Sequence, residues 1–144
     1  MLIRDSAKAT ITVINLLPAE ENRMHLFKTI LHDCSWMQGD RAISRRTGMA
    51  VPAEITLLIP FDSEYVSVKS GEVFGGSGWT LNIGPEFLGS YILKRDMTGE
   101  YPHPGLIEKE DMINFAESNA AFRPREIVEH FVGTRSMWYI EVKC

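Results

Sequence analysis

The chain has 144 residues, 44% of them hydrophobic, and a formal net charge of −4. That size suits one compact domain burying roughly two-thirds of its unfolded surface, and the mild acidity excludes nucleic-acid binding by bulk charge. Cys34 and Cys144 form neither a metal spacing nor a disulfide framework, so a reducing compartment is expected. No apolar run approaches the roughly 20 residues of a spanning helix, and Arg4, Asp5 and Lys8 interrupt any leader-like apolar core, so neither a membrane span nor leader-directed secretion is expected.

In chain order, residues 9–16 read as a first strand, with Ile11 and Val13 on one face and Thr10, Thr12 and Ile14 on the other, ending before Pro18. A polar turn leads to residues 24–37. There Leu26, Ile30, Cys34 and Trp36 share one parity while Phe27 and Leu31 take the other, which predicts one long strand with a bulge midway, or two strands joined by a bend. Residues 53–62 carry the strongest strand pattern, with Ile55, Leu57 and Ile59 on one face, and Pro60 marks where ladder pairing stops.

Two polar segments flank that strand, at about 39–52 and 62–78, too long for ordinary hairpin turns and expected to project as loop arms. The first holds Arg41, Arg45 and Arg46 against the single acid Asp40, a local basic patch. It reads either as a solvated loop or as a contact for an acidic partner or DNA phosphates, which the planar guanidinium fork suits. The second holds Gly71, Gly75, Gly76 and Gly78 but lacks both the Gly-Lys-Ser/Thr of a phosphate loop and a helix after its last glycine. Those glycines are expected at turns needing positive φ.

Trp79 opens an alternating segment to Gly84 that predicts a further strand, and residues 89–96 predict another. A stiff, exposed Pro- and Gly-rich stretch surrounds His103. Residues 108–119 are the one helix candidate, with acids in the first turn and Met112, Phe115 and Ala116 at helical spacing. Strands over 125–132 and 137–143, joined by Gly133-Thr-Arg-Ser, close the chain. The expected fold is a mainly β single domain over 1–144, a small barrel or sandwich with one short helix.

No catalytic constellation stands out. His32 and Cys34 share a strand face at roughly 7 Å spacing, too far for a nucleophile and its base, and Cys34 reads as a small packed hydrophobe. His25, His103 and His130 stand outside any metal spacing. Trp36, Trp79 and Trp138 read as core, with base stacking a poor second. No enzyme activity, cofactor or metal is expected.

The order ITVIN, HLFKTILHDCSW, an arginine-bearing arm, AEITLLIPF, a glycine loop, GSYIL, a short helix and MWYIEVK resembles a family of small structural proteins of tailed bacteriophages, encoded among the head and tail morphogenesis genes. The resemblance spans nearly the whole chain, and its most specific pieces are Trp36, Ile59-Pro60-Phe61 and the strand from Met137 to Val142; the stretch through Pro124-Arg-Glu departs from the pattern. It implies a head-completion or head-closure protein in the virion, assembled in the host cytoplasm. Such a protein is a homo-oligomeric ring of six or twelve copies at the head–tail junction, touching a portal-side adaptor and a tail terminator or tail tube.

The resemblance makes the segment with Tyr65, Val66, Val68 and Phe74 a candidate inter-subunit loop, docking by strand addition or wedged side chains. It makes Arg41, Arg45 and Arg46 candidates for partner contact or non-specific contact with the phosphates of double-stranded DNA. A tail-terminator ring protein is the alternative within this class. A small-ligand-binding β-barrel, with Trp and Phe lining a cavity, is the alternative outside it.

Overall fold

A computed structural model of the chain describes residues 7–38, 42–43, 50–51, 54–84 and 88–144. Its spine is a hairpin of two long strands, β1 (Ala7–Pro18) and β2 (Arg23–Gln38). The pairing register runs evenly from Pro18↔Met24 to Ile11↔Leu31 and then shifts so that Ala9 faces Cys34. The extra residue on β2 is taken up at Asp33, whose φ of 58° lies in the left-handed region that Asp tolerates better than most residues. This is the bulge that the parity change in the sequence requires. It turns Leu31, Cys34 and Trp36 to one side of the sheet, although Leu31 and Cys34 differ in parity.

The other long elements follow. They are β5 (Ile55–Pro60), β6 (Tyr91–Leu93), β7 (Gly105–Glu108), α1 (Lys109–Ser118), β8 (Glu126–His130) and β9 (Tyr139–Lys143), while β3 (Ala42–Ile43) and β4 (Ala50–Val51) pair with each other as a separate short hairpin. The main sheet is antiparallel, in the order β6-β1-β2-β5-β9-β8, with β7 also pairing the start of β2. Its two ends do not pair, so the sheet is open and not a closed barrel. The mainly β fold with one short helix agrees with the expectation. β5 ends at Pro60, after which the Phe61 N–H makes one last bond to the Trp138 carbonyl at 3.0 Å.

Two apolar clusters lie on opposite faces, as alternation along β1 dictates. Ile11 and Val13 join Cys34, Trp36, Leu57, Ile59, Trp79, Ile140 and Val142 on one face. Ile14 and Leu16 join Met24, Leu26, Tyr91, Met97, Met112 and Phe115 on the other. The second cluster is roofed by α1, whose first turn carries Glu110 and Asp111 where the helix dipole favours acids. Lys28 also pins the 97–102 loop there, donating to the Met97, Glu100 and Pro102 carbonyls at 2.7, 2.9 and 3.3 Å.

The first cluster is roofed by the segment 61–84, which corrects two expectations. Residues 79–84 form no strand, because the side chain of Asn15 supplies what a strand neighbour would: it donates to the Thr80 carbonyl at 2.8 Å and accepts the Thr80 N–H at 3.1 Å. Nor does the 62–78 arm project. Trp79 is wholly buried with its ring 4.8 Å from that of Tyr65, so the segment folds back over the sheet. The glycine turns that allow this include Gly78, at φ +75°, where a Cβ would collide with the Glu64 carbonyl. Gly71 and Gly76 also take positive φ, whereas Gly75 does not. β7 corresponds to no predicted strand; it sits in the stretch read as Pro- and Gly-rich turn.

Candidate interaction site

Of the sequence-selected contact residues, Arg41, Arg45 and Arg46 lie outside the described residues. The arm that carries them contributes the β3–β4 hairpin. In the second arm Tyr65 and Phe74 are 7% and 8% exposed, with Phe74 packed edge-on against Phe27 at 5.5 Å. These two side chains spend their apolar surface inside the molecule, so they are not free for an inter-subunit contact. Val66 is half-buried, and only Val68 of the four is exposed, at 39%.

A polar clasp ties this segment to the sheet. The Tyr65 hydroxyl and the Ser67 hydroxyl both donate to Oε2 of Glu129 on β8, at 2.6 and 2.5 Å. Burial, reinforced by the Glu129 carboxylate, pushes the Tyr65 phenol well above its usual range. Ser67 also accepts the Ser70 N–H of the 3-10 turn Val68–Ser70, and the Lys69 ammonium donates to the Ile127 carbonyl. The bonds from Tyr65, Ser67 and Lys69 to β8 join groups 58 to 64 positions apart, so nothing local in the sequence announces the clasp.

The bulge at Asp33 also changes the geometry of the one adjacent His–Cys pair. His32 is exposed and shares a hydrogen bond with the Thr10 hydroxyl at 3.2 Å, while Cys34 is wholly buried on the core side. They therefore do not share a face, contrary to the reading of an uninterrupted strand. Burial pushes the Cys34 thiol up to about 12, with Asp33 adding and Lys8 opposing. A thiol held so far from ionisation is a core group. Among the described residues no group of three or more His, Cys, Asp or Glu is placed to hold a metal ion.

The surface that stands out is the face of β5, β9 and β8 turned away from Trp79. Along these strands Thr56, Leu58 and Pro60, Tyr139, Glu141 and Lys143, and Glu126, Val128 and His130 alternate with the core positions. α1 packs over the other half of the sheet, and this face is only partly covered: Leu58 is 6% exposed, Thr56, Val128, Glu141 and Lys143 are half-buried, and Pro60 and Glu126 are exposed. His130 stacks on Tyr139 with ring centroids 4.4 Å apart and meets Glu141 at 3.2 Å. Leu58, Pro60, Met137, Trp138 and Tyr139 line a groove of about 270 Å³, with Lys8 and Asp33 on its rim.

At the end of this face Met137 is 65% and Val132 is 82% exposed, beside a packed group of rings in which Trp138 stacks on Phe131 at 5.1 Å and Arg135 lies over Phe61 at 4.9 Å. Exposed apolar groups bordering a mixed polar face are the composition of a protein–protein contact. A second groove, of about 650 Å³, runs along α1 between Ile113, Ala116, Ala121 and Tyr91, with the Arg123 guanidinium over the Tyr91 ring.

Trp36 and Trp79 line no cavity, whereas Trp138 borders the groove described above. Trp36 packs against Phe122 at 5.1 Å and Trp79 against Tyr65, both within the first cluster. The buried Trp36 Nε1 has no partner among the described residues. Comparison with family models, curated proteins and solved structures finds no match to this chain.

Proposed function

We propose that this protein is a non-enzymatic structural component of a tailed-phage virion, a head-completion or head-closure protein. Its copies form a ring at the head–tail interface, join the portal-side connector to the tail and help retain packaged DNA. The sequence pattern that resembles such proteins is the starting point. The observation that carries the reading further is the unroofed β5–β9–β8 face with Met137 and Val132 exposed at its end. A sheet face of this kind is completed by a neighbouring molecule, and a ring supplies one to every copy. A ligand-binding barrel has less support, because the sheet is open and Trp36 and Trp79 pack against Phe122 and Tyr65 in the core.

In the ring Arg41, Arg45 and Arg46 meet phosphates or an acidic partner. The test is genetic and direct. Particles made without this protein should lose packaged DNA and fail to join tails; particles that keep their DNA and join tails normally would end the proposal. Copurification with free tails in place of DNA-filled heads would move the protein to the tail end of the junction.

A further inference from the structure

The two edges of the sheet are finished differently. On β6, Ile92 exchanges both main-chain bonds with Phe122 at 2.8 Å, so a stretch of the chain itself covers that edge. On β8 the pattern follows from β9. The Cys144 N–H bonds the Ile55 carbonyl and the Phe61 N–H bonds the Trp138 carbonyl, so even-numbered residues of β9 direct their main-chain groups to β5 and odd-numbered ones to β8. In register, Glu126, Val128 and His130 then bond Lys143, Glu141 and Tyr139, and the main-chain groups of Ile127 and Glu129 point to the open edge. The acceptance of Lys69 by the Ile127 carbonyl agrees with this, since that carbonyl must be turned away from β9.

Among the described residues no strand pairs this edge of β8; such an edge is a template for another strand, and a lysine placed on it is a recognised block. The β8 sequence is also self-complementary. In an antiparallel pair centred on Val128, Val128 meets the partner's Val128, Ile127 lies opposite Glu129 of the partner subunit, and Glu126 lies opposite the partner's His130, acid against base. In that register the outward groups of Ile127 and Glu129 are the ones that bond across the two-fold axis.

We propose that the open edge of β8 is a docking surface for β8 of a second copy, held closed in the isolated chain by the Lys69 ammonium on the Ile127 carbonyl. Pairing exchanges one donor for another: the N–H of the partner's Glu129 takes the place of Lys69. The neighbouring Tyr65–Ser67–Glu129 clasp keeps the rest of the roofing segment in place while Lys69 swings out. Pairing in this way extends the sheet, and its unroofed face, across the two-fold axis. The inference rests on edge geometry and holds whether or not the protein is a virion component.

The test is self-association of the purified full chain by sedimentation velocity. Lys69→Met, which keeps the stem and removes the guard, should tighten association about tenfold or more over the wild type. Lys69→Arg, which keeps a donor, should match the wild type. Adding Val128→Lys to Lys69→Met places two ammonium groups opposite each other at the axis and should abolish the gain. Association of Lys69→Met no tighter than wild type, or a gain that survives Val128→Lys, overturns the proposal. Should Lys69→Met not fold, amide exchange of the wild type decides: slowing at Ile127 and Glu129 with rising protein concentration supports the edge pairing, and concentration-independent exchange overturns it.

Discussion

The two faces of the sheet are roofed by different means. On one face α1 bonds its backbone internally, Met112 and Phe115 share an apolar cluster with Met24, Leu26 and Leu93, and polar contacts tie its ends, the Lys109 N–H to the Asn22 carbonyl at 2.7 Å and Arg95 to Asn119 Oδ1 at 3.0 Å. On the other face the roof is the irregular segment 61–84, whose backbone has no regular ladder. Its groups are satisfied one at a time, Thr80 by Asn15, Asn82 by the Ser90 hydroxyl at 2.8 Å, and Val66 by the Trp79 carbonyl at 2.8 Å. A helix brings its hydrogen bonds with it, whereas a loop laid over a core must be met by polar side chains placed in advance on the strands below. The loop roof therefore leans on polar residues along its length, and the helix roof mainly on apolar ones.

Truncating the apolar anchors should not separate the two roofs. Trp79→Ala and Phe115→Ala should each cost about 3–5 kcal/mol in urea unfolding, since both leave large cavities; a cost below about 1 kcal/mol for either would mean that its roof is not part of the cooperative fold.

Removing polar support should separate them. Asn15→Ala leaves the buried Thr80 N–H unmatched and its carbonyl with only the 3.4 Å bond from the Ser90 hydroxyl, and should cost roughly 1–3 kcal/mol. Amide exchange should quicken across 79–82 with little change in α1, and equal quickening in both would contradict the comparison.

Alkaline pH should weaken the loop-roofed core through Cys34, as it weakens the helix-roofed one through the buried Tyr91 phenol. Burial raises the Cys34 thiol from 9.0 to about 12, so above pH 9 the unfolded chain ionises first and the stability held by the protonated thiol, complete below pH 9, is lost as pH rises toward 12. Between those values Cys34→Ala should lose stability less steeply than the wild type in parallel denaturant titrations; parallel curves would show that this thiol does not contribute.

Much of the framework was legible in the sequence because it rests on local pattern. The parity break between Leu31 and Cys34 announced the bulge, and the spacing of Met112, Phe115 and Ala116 announced the helix. β7 was not legible, since among its four residues only Ile107 is buried and no alternation can show over so short a run. The segment from Trp79 alternates like a strand, yet its hydrogen-bonding partner is the amide of Asn15, distant in sequence. The 62–78 arm was read as projecting from its glycines and polar residues, while Tyr65, Phe74 and Trp79 carried the opposite message as anchors. The unroofed face became visible only when the strand order placed β9 and β8 beyond the reach of α1.

The smallest expected effect on stability falls on the surface that the proposed assembly would use. Met137 and Leu106 are 65% and 58% exposed, one at the end of the unroofed face and the other on β7 beside the helix-roofed half. Changing either to Glu should alter stability by no more than about 0.5 kcal/mol. The decisive measurement is complementation of particles lacking the protein with each variant. Met137→Glu should leave particles that lose DNA and do not join tails, while Leu106→Glu should restore both functions. Full restoration by Met137→Glu would contradict the assignment of the unroofed β5–β9–β8 face as the assembly contact.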